Sequence, residues 1–318
     1  MRIILTGITG YLGSHLVAAL LASGSEVIGL KRKSSSLFRI EHLLPKLELH
    51  NVEDVNLEEI FAKHGKIDAV IHTATCYGRN GESAHQITEA NLAFPLQLLV
   101  AAISSGVSTF MNTGTVLDKM LNPYALSKGQ FAEWGRYFAL QKKIRFINLN
   151  LEHFYGPGDD KSKFTTHVIQ SCLTSVPELN LTLGEQLRDF IQIDDVVAAY
   201  LLMLNKCESF DGAFIELEVG SGCAVSIRQF VETVHRLTAS LTRLNFGAQP
   251  YRTGETMFSQ ANIDTLRALG WYCRYDLESG LTKTIEQERK VSCSYSLPEA
   301  AASWAATWPQ RPCVVATK

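Results

Sequence analysis

Thr6-Gly7-Ile8-Thr9-Gly10-Tyr11-Leu12-Gly13, running straight out of the apolar Ile3-Ile4-Leu5, is the stretch on which the fold turns. A first strand that breaks into glycines and opens a helix aims backbone N–H groups and the positive end of the helix dipole at a pyrophosphate, with glycine where a side chain would collide. Glycine-rich turns also serve packing alone in α/β proteins; the place of this one, after the first strand, favours dinucleotide binding. Gly7, Thr9, Gly10, Tyr11, Leu12 and Gly13 are read as cofactor contacts. Outward from there, short apolar segments at 2–5, 26–30, 47–50, 69–73, 109–112 and 145–151 alternate with helical periodicity at 11–23, 57–64, 82–105 and 124–141. That order predicts right-handed βαβ crossovers and an α/β fold built on a doubly wound, Rossmann-like parallel sheet. The dinucleotide-binding domain is expected over 1–155, with returning segments near 186–205. Turn-rich pieces such as Tyr155-Gly156-Pro157-Gly158 and single helices at 163–174, 194–205, 226–241 and 262–269 predict a smaller C-terminal α/β substrate lobe over 156–290. Residues 291–318 show no clear periodicity and are read as a peripheral tail.

The 318 residues are 46% hydrophobic and 19% charged, the balance of an ordinary globular chain, and the formal net charge is −2. With no broad basic field, neither nucleic acid nor a membrane surface is an expected partner, so any anion must be held by a few placed cations. Cysteines 76, 172, 207, 223, 273, 293 and 313 lie singly, without a CxxC pair, and the histidines do not cluster along the chain. They read as reduced thiols, and no metal is expected. Arg2–Leu5 is too short for a signal-peptide core and no unbroken apolar run reaches about eighteen residues, so a cytoplasmic protein is expected.

Tyr124-Ala125-Leu126-Ser127-Lys128 carries the second signal. Four residues apart on a helix, phenol and ammonium share a face, and the cation is expected to pull the phenol below its reference value of about 10. An isolated YxxxK is ordinarily a surface pair. Here Phe110-Met111-Asn112-Thr113-Gly114-Thr115 ends a strand just upstream, and ligands sit at strand carboxyl ends in an open parallel sheet. A hydroxyl, a phenol and an ammonium converging on a nicotinamide exchange a proton with a carbonyl oxygen while hydride moves on carbon. Thr113 is the first choice for the hydroxyl and Thr115 the second; Tyr124 and Lys128 complete the catalytic set and also touch the cofactor. Asn51 and Val52 after the third strand, and Thr73, Ala74 and Thr75 after the fourth, are further cofactor contacts. The second strand ends in Lys31-Arg32-Lys33-Ser34. Such a run is commonly a solvated loop. At this position, where NAD sites place an acid on the ribose, three cations are read as holding the added phosphate, which favours NADPH over NADH. Asp194-Asp195 is read as a helix cap.

Together, TGxxGxxG, His72-Thr73-Ala74-Thr75, the Thr–Tyr–Lys set and Tyr155-Gly156-Pro157-Gly158 resemble the extended short-chain dehydrogenase/reductase superfamily, of the NAD-dependent epimerase/dehydratase type, over residues 1–285. Within it, Ala74-Thr75-Cys76-Tyr77-Gly78-Arg79, Leu151-Glu152-His153-Phe154-Tyr155-Gly156, Gly184-Glu185-Gln186-Leu187-Arg188-Asp189-Phe190, and Phe246-Gly247-Ala248 with Met257-Phe258-Ser259 are similar to the CDP-paratose and CDP-abequose synthase group. Those reductases act with NADPH on the C4 ketone of CDP-4-keto-3,6-dideoxyglucose for bacterial surface polysaccharide. The resemblance implies a nucleotide-sugar substrate and a homodimer packed through the long helices near 82–105 and 124–141. It places Arg188 and Arg252 on the diphosphate, which a guanidinium fork suits; a structural ion pair with Asp189 or Glu255 is the alternative. Tyr77, Arg79, Thr115, His153, Lys163, Phe164 and Glu255 are the remaining substrate-binding candidates, with packing alone the alternative for Tyr77 and Arg79. Two departures matter. The loop between Thr113 and Tyr124 is shorter than in most relatives, and Gly114-Thr115 stands where dehydratases carry Asp-Glu, so elimination of water lacks its proton carriers. A sugar-nucleotide 4-epimerase with retained NAD is the closest alternative activity, and a non-catalytic NADP-sensing protein a more remote one.

Overall fold

The computed structural model describes residues 1–252 and 254–294, with side chains to 290. In chain order its elements begin β1 (Arg2–Thr6), α1 (Tyr11–Ala22), β2 (Glu26–Lys31), β3 (Glu48–Asn51), α2 (Leu57–His64), β4 (Ala69–His72), α3 (Ala84–Thr88), α4 (Phe94–Ser104), β5 (Thr109–Thr115), α5 (Pro123–Leu140) and β6 (Arg145–Leu151). They continue with β7 (His153–Tyr155), α6 (Phe164–Leu173), β8 (Glu178–Leu181), β9 (Leu187–Gln192), α7 (Ile193–Lys206), β10 (Phe214–Val219), β11 (Ala224–Ser226), α8 (Ile227–Thr238), β12 (Arg243–Phe246), α9 (Asp264–Ala268) and α10 (Leu277–Ser294). Of the expected tail, 291–294 form the end of α10 and the rest lies outside the described residues.

Two units emerge. The first comprises Met1–Leu151 and Tyr200–Glu218. Its seven-stranded parallel sheet has the order β10-β6-β5-β4-β1-β2-β3. The order reverses between β1 and β4, the switch point beside which the carboxyl ends of such strands leave a crevice. Ile3, Ile4 and Leu5 of β1 and Ala69, Val70 and Ile71 of β4 are buried, the continuous apolar runs of strands covered on both faces. The returning segment is 200–218, later than the 186–205 expected, because the edge strand is β10, whose alternating Ile215-Glu216-Leu217-Glu218-Val219 the sequence reading did not count as a strand.

The single helix expected over 82–105 is instead α3, a π-helical turn at Glu89–Ala93, and α4. Pro95 supplies no N–H and its ring crowds the carbonyl four residues back, at Asn91, so the turn widens. By length and averaged composition Ala84–Ser104 is apolar enough to cross a membrane, which the search for unbroken apolar runs passed over. Its Leu98, Leu99, Ala101 and Ala102 are buried in the core of this unit with Val70, Phe110 and Phe146.

The second unit comprises Glu152–Ala199 and the chain from Val219 onward. It holds a three-stranded sheet, β11-β9-β7, a parallel pair β12-β8, and a core of Tyr155, Val168, Ile169, Phe190, Phe230, Val234, Leu281 and Ile285. Asp194 and Asp195 lie in the first turn of α7 but do not cap it. Gln192 Oε1 accepts from Asp194 N at 2.5 Å, whereas the Asp195 carboxylate accepts from the N–H groups of Arg274 and Tyr275 at 3.0 and 3.2 Å, and Asp194 pairs with Lys283. The pair ties α7 to the 274–283 segment.

α5 is held on the first unit's sheet by a close approach at Gly135, where an added Cβ would fall 2.3 Å from the Phe146 ring. Phe146 is itself stacked between Phe110 at 5.6 Å and Phe214 at 6.2 Å and has nowhere to go. Gly135→Ala is expected to destabilise the protein by about 1–3 kcal/mol, read as a lowered urea midpoint. An unchanged midpoint would mean that Phe146 yields.

Candidate active site

The glycine turn is a cradle that side chains would fill. Gly7 sits at φ +66°, and a Cβ on it would lie 2.6 Å from Ala74 N; one on Gly13 would lie 2.1 Å from Gly7 O. Gly10 N donates to Gly7 O at 2.8 Å to close the turn, and Ser14 N donates to Gly10 O at 2.9 Å to start α1. No side chain caps this helix, so its first N–H groups suit an anion. The neighbouring loop is pinned from below. Thr73 Oγ1 donates to Thr6 O at 2.8 Å, Ala74 N to Thr6 Oγ1 at 3.3 Å, and Thr6 Oγ1 meets His72 Nδ1 at 2.8 Å. Burial holds the His72 imidazole well below its usual range, so it stays neutral.

Asn91, buried on the π turn, holds the next residues: Cys76 N donates to its Oδ1 at 2.7 Å, its Nδ2 donates to Cys76 O at 2.8 Å and to Ser127 Oγ at 3.1 Å, and Thr75 Oγ1 lies 3.3 Å from Oδ1. Sequence reasoning missed it. Only Pro95, four residues on, signalled a widened turn there, a feature often found at functional sites.

α5 begins where Asn122 Oδ1 accepts from Ala125 N at 2.9 Å and Pro123 takes the first turn. The helix then presents Tyr124 and Lys128 one turn apart. Tyr124 is half-buried, its ring 5.0 Å from that of Tyr77, over which the Arg79 guanidinium lies at 4.7 Å. β5 runs three residues past its expected end, so Thr113 and Thr115 project from one face of it. The Thr115 hydroxyl is close enough to the Tyr124 phenol to favour its ionised form, while Thr113 Oγ1 lies 2.6 Å from the hydroxyl of buried Tyr200. Tyr200 is a second residue the sequence did not single out, 87 positions from its partner.

Lys128 is 2% exposed, and its Nζ has no hydrogen-bond partner among the described residues. Burial lowers it to about 7. The expected depression of the Tyr124 phenol by Lys128 does not occur: burial, with Tyr77 adding, holds the phenol above its ordinary value, against a smaller opposing effect of the Thr115 hydroxyl and Arg79. An ammonium that is largely deprotonated above neutral pH is a weak source of field. The cradle and the orphaned Lys128 fit a dinucleotide, whose diphosphate suits the turn and whose ribose hydroxyls suit the ammonium.

At the end of β2, two of the three cations are already engaged. Lys31 Nζ donates to Asn51 Oδ1 at 2.7 Å, Lys33 pairs with Asp54, and Lys33 N donates to Glu53 at 3.0 Å. Arg32 is exposed, and Val52 N closes onto Lys31 O at 2.9 Å.

In the second unit, Arg188 is buried and takes the structural alternative: it pairs with Glu255 at 2.9 Å and donates to the carbonyls of Leu187 and Thr256. Asp189 is not its partner. That buried carboxylate accepts from Ser221 N and Oγ, both at 2.6 Å, and from Gly222 N and Ala261 N. Lys163 pairs with buried Asp159 at 2.9 Å and lies over the Phe154 ring, and Phe164 meets Phe230 at 6.0 Å. His153 Nδ1 lies 3.2 Å from Glu152, whose other oxygen accepts from Ser259 at 2.6 Å. Arg252 is exposed, its carbonyl accepting from Glu255 N at 3.0 Å.

The model of the NAD dependent epimerase/dehydratase family matches residues 3–215. Among curated proteins, CDP-abequose synthase of Salmonella typhimurium (strain LT2) is 34% identical over 298 residues, covering 90% of this chain and 97% of that one. Among solved structures, UDP-glucose 4-epimerase of Thermotoga maritima with UDP-glucose superposes with a TM-score of 0.79 at 23% identity, covering 92% of this chain and all of that one. MoeE5 in complex with UDP-glucose and NAD gives 0.80 at 24% over the same shares.

Lys128 also has a stability signature. The unfolded lysine keeps its proton to about pH 10.4, the folded one to about 7, so between these values the unfolded chain binds more protons and stability rises with pH. Lys128→Met removes a buried charge and is expected to stabilise the fold by on the order of 3–5 kcal/mol below pH 7, the gain fading toward about pH 10. Urea melts at both ends of that range read the difference; a variant less stable in acid would overturn the assignment.

Proposed function

The chain belongs to the NAD dependent epimerase/dehydratase family, and from that membership we propose that it is an NADPH-dependent reductase of the C4 ketone of a nucleotide-linked 4-keto-deoxyhexose, CDP-4-keto-3,6-dideoxyglucose above others. What supports this reading is the Thr115 hydroxyl beside the Tyr124 phenol, Thr113 on the same face of β5 and Lys128 one helical turn on from Tyr124 in α5, in a chain 34% identical to CDP-abequose synthase over 90% of its length. Gly114-Thr115, in place of an acid pair, argues against dehydration.

A bound reduced nicotinamide supplies the hydride. Tyr124, kept protonated by burial, gives its phenolic proton to the carbonyl oxygen. Thr115 donates to the phenol oxygen and steadies the phenolate left behind, Thr113 polarises the carbonyl, and Tyr200 fixes the Thr113 hydroxyl. Lys128, protonated near and below pH 7, holds ribose hydroxyls and adds positive potential beside the phenolate. Arg32, exposed at the end of β2, takes the added phosphate with Lys31 and Lys33 in support. Arg188 and Arg252 take the sugar nucleotide's diphosphate, Arg188 exchanging Glu255 for phosphate oxygens. The likeness to solved 4-epimerases supports a second reading, epimerisation with retained NAD.

Oxidation of NADPH is followed with CDP-4-keto-3,6-dideoxyglucose, beside NADH and the dTDP-sugar. Turnover with the CDP sugar supports the reductase; none, in protein carrying tightly held NAD that interconverts UDP-hexoses, overturns it for the epimerase. Tyr124→Phe is expected to lower kcat by roughly 10²–10⁴ while ligands still bind. Thr115→Val is expected to shift the pH profile of kcat upward, since the hydroxyl that favours the phenolate is gone, and Thr113→Val to lower kcat without that shift. Arg32→Glu is expected to raise KM for NADPH about tenfold or more and spare NADH; equal effects on both would refute the phosphate contact.

A further inference from the structure

Histidines that do not cluster along the chain meet in the fold. Glu48 opens the edge strand β3, His50 follows two residues on along the same face, and His64 ends α2, which returns beside it. His50 Nε2 lies 3.2 Å from His64 Nε2, and Glu48 Oε1 lies 3.3 Å from the first and 3.5 Å from the second. The imidazoles cross edge-on at 76°, and without an ion one Nε2–H donates to the other Nε2, a proton that an ion would displace. Around a tetrahedral zinc with bonds of about 2.0–2.1 Å, ligand atoms stand about 3.3–3.4 Å apart. The three separations are the edges of one face of that tetrahedron.

We propose that Glu48, His50 and His64 bind a divalent transition-metal ion of the zinc class, leaving one position for water, and that the ion clamps the end of α2 to the edge strand. The His₂Glu set is of borderline hardness, suited to zinc and its neighbours and ill suited to magnesium or calcium, which require oxygen. The His50 and His64 side chains are 14% and 7% exposed and so are held in place by packing, while Glu48, at 46%, leaves the site open to solvent. Lys63 Nζ sits 2.5 Å from the same Glu48 oxygen; its side chain is 59% exposed and free to swing into water when the ion takes that oxygen. Arg2 Nη1 donates to the His64 carbonyl at 2.5 Å and pairs with Glu26, so its charge is spent elsewhere. β3 is the edge strand, with β2, β1 and β4 between it and the β5 end that carries Thr113 and Thr115, while His50 stands level with Leu30 and Thr6, just before the glycine turn. None of the three ligands belongs to the Thr–Tyr–Lys set, and the ion is assigned a structural role.

Tag-free full-length protein is dialysed against Zn²⁺ and then against buffer, and metal is counted by mass spectrometry for the native chain and for His50→Gln and His64→Gln. One equivalent in the native protein, lost in each variant, with a thermal midpoint raised by Zn²⁺ only in the native chain, is the expected result. Co²⁺ substitution of the native protein keeps the test independent of how the variants fold. Tetrahedral visible bands without a thiolate charge-transfer band support the site; a thiolate band puts the ion on cysteine and overturns it. Absence of retained Zn²⁺, or retention undiminished in both variants, overturns it equally.

Discussion

An ammonium enclosed by protein with no acceptor is among the less comfortable groups a fold can hold, and among the described residues Lys128 finds none. It can be kept there only if the surrounding packing leaves it no exit. That packing is the core of the first unit: Phe110 and Phe146 beneath α5, Phe131 on its buried face, the backbone of Gly135 pressed on Phe146, and Asn122 fixing where the helix starts. Ser127, next to Lys128, is bonded to Asn91, which also holds Cys76. The positions of the phenol, the ammonium and the loop after β4 thus depend on one another. A site whose charged group is poorly satisfied by the protein gains from any ligand that brings oxygens to it.

The parts of this arrangement that the sequence made legible are those written as local patterns. The glycine turn is readable because Gly7 and Gly13 meet backbone at distances no side chain survives, a constraint that forces residue type. Tyr124 and Lys128 are readable because helical spacing alone puts them on one face. The doubly wound parallel sheet followed from the alternation of strands and helices and the handedness of their crossovers. What was not legible depends on partners far along the chain. Nothing marks Tyr200 as the partner of Thr113, or Asn91 as the pin for Cys76, since tyrosine and asparagine occur everywhere and only the fold supplies the pairing. The sign of the Tyr124 shift was missed for a similar reason: spacing reveals a neighbouring charge but not the burial that quenches it.

In the second unit the same distinction applies to charge. Arg188, Lys163 and Asp194-Asp195 each have a counterpart at hand, Glu255, Asp159 and the 274–283 segment respectively. Removing one member takes from a buried or half-buried charge its strongest partner, which is more damaging than the net worth of the pair suggests. Substitutions there will disturb folding and ligand contacts together, and only binding measurements on stable variants separate the two.

The return of β10 to the first unit's sheet also bears on how the chain comes to exist. β6 lies beside a strand drawn from residues 214–219, and Glu216 accepts from Asn148 and Asn150 on β6 at 2.8 and 3.1 Å. During synthesis the first 151 residues therefore emerge with an unfinished edge, bearing asparagines that wait for a carboxylate some 66 residues further on. The intervening segment, most of it belonging to the other unit, must be translated before the first sheet can close, so the sheet gains its last strand only after synthesis of the second unit has begun.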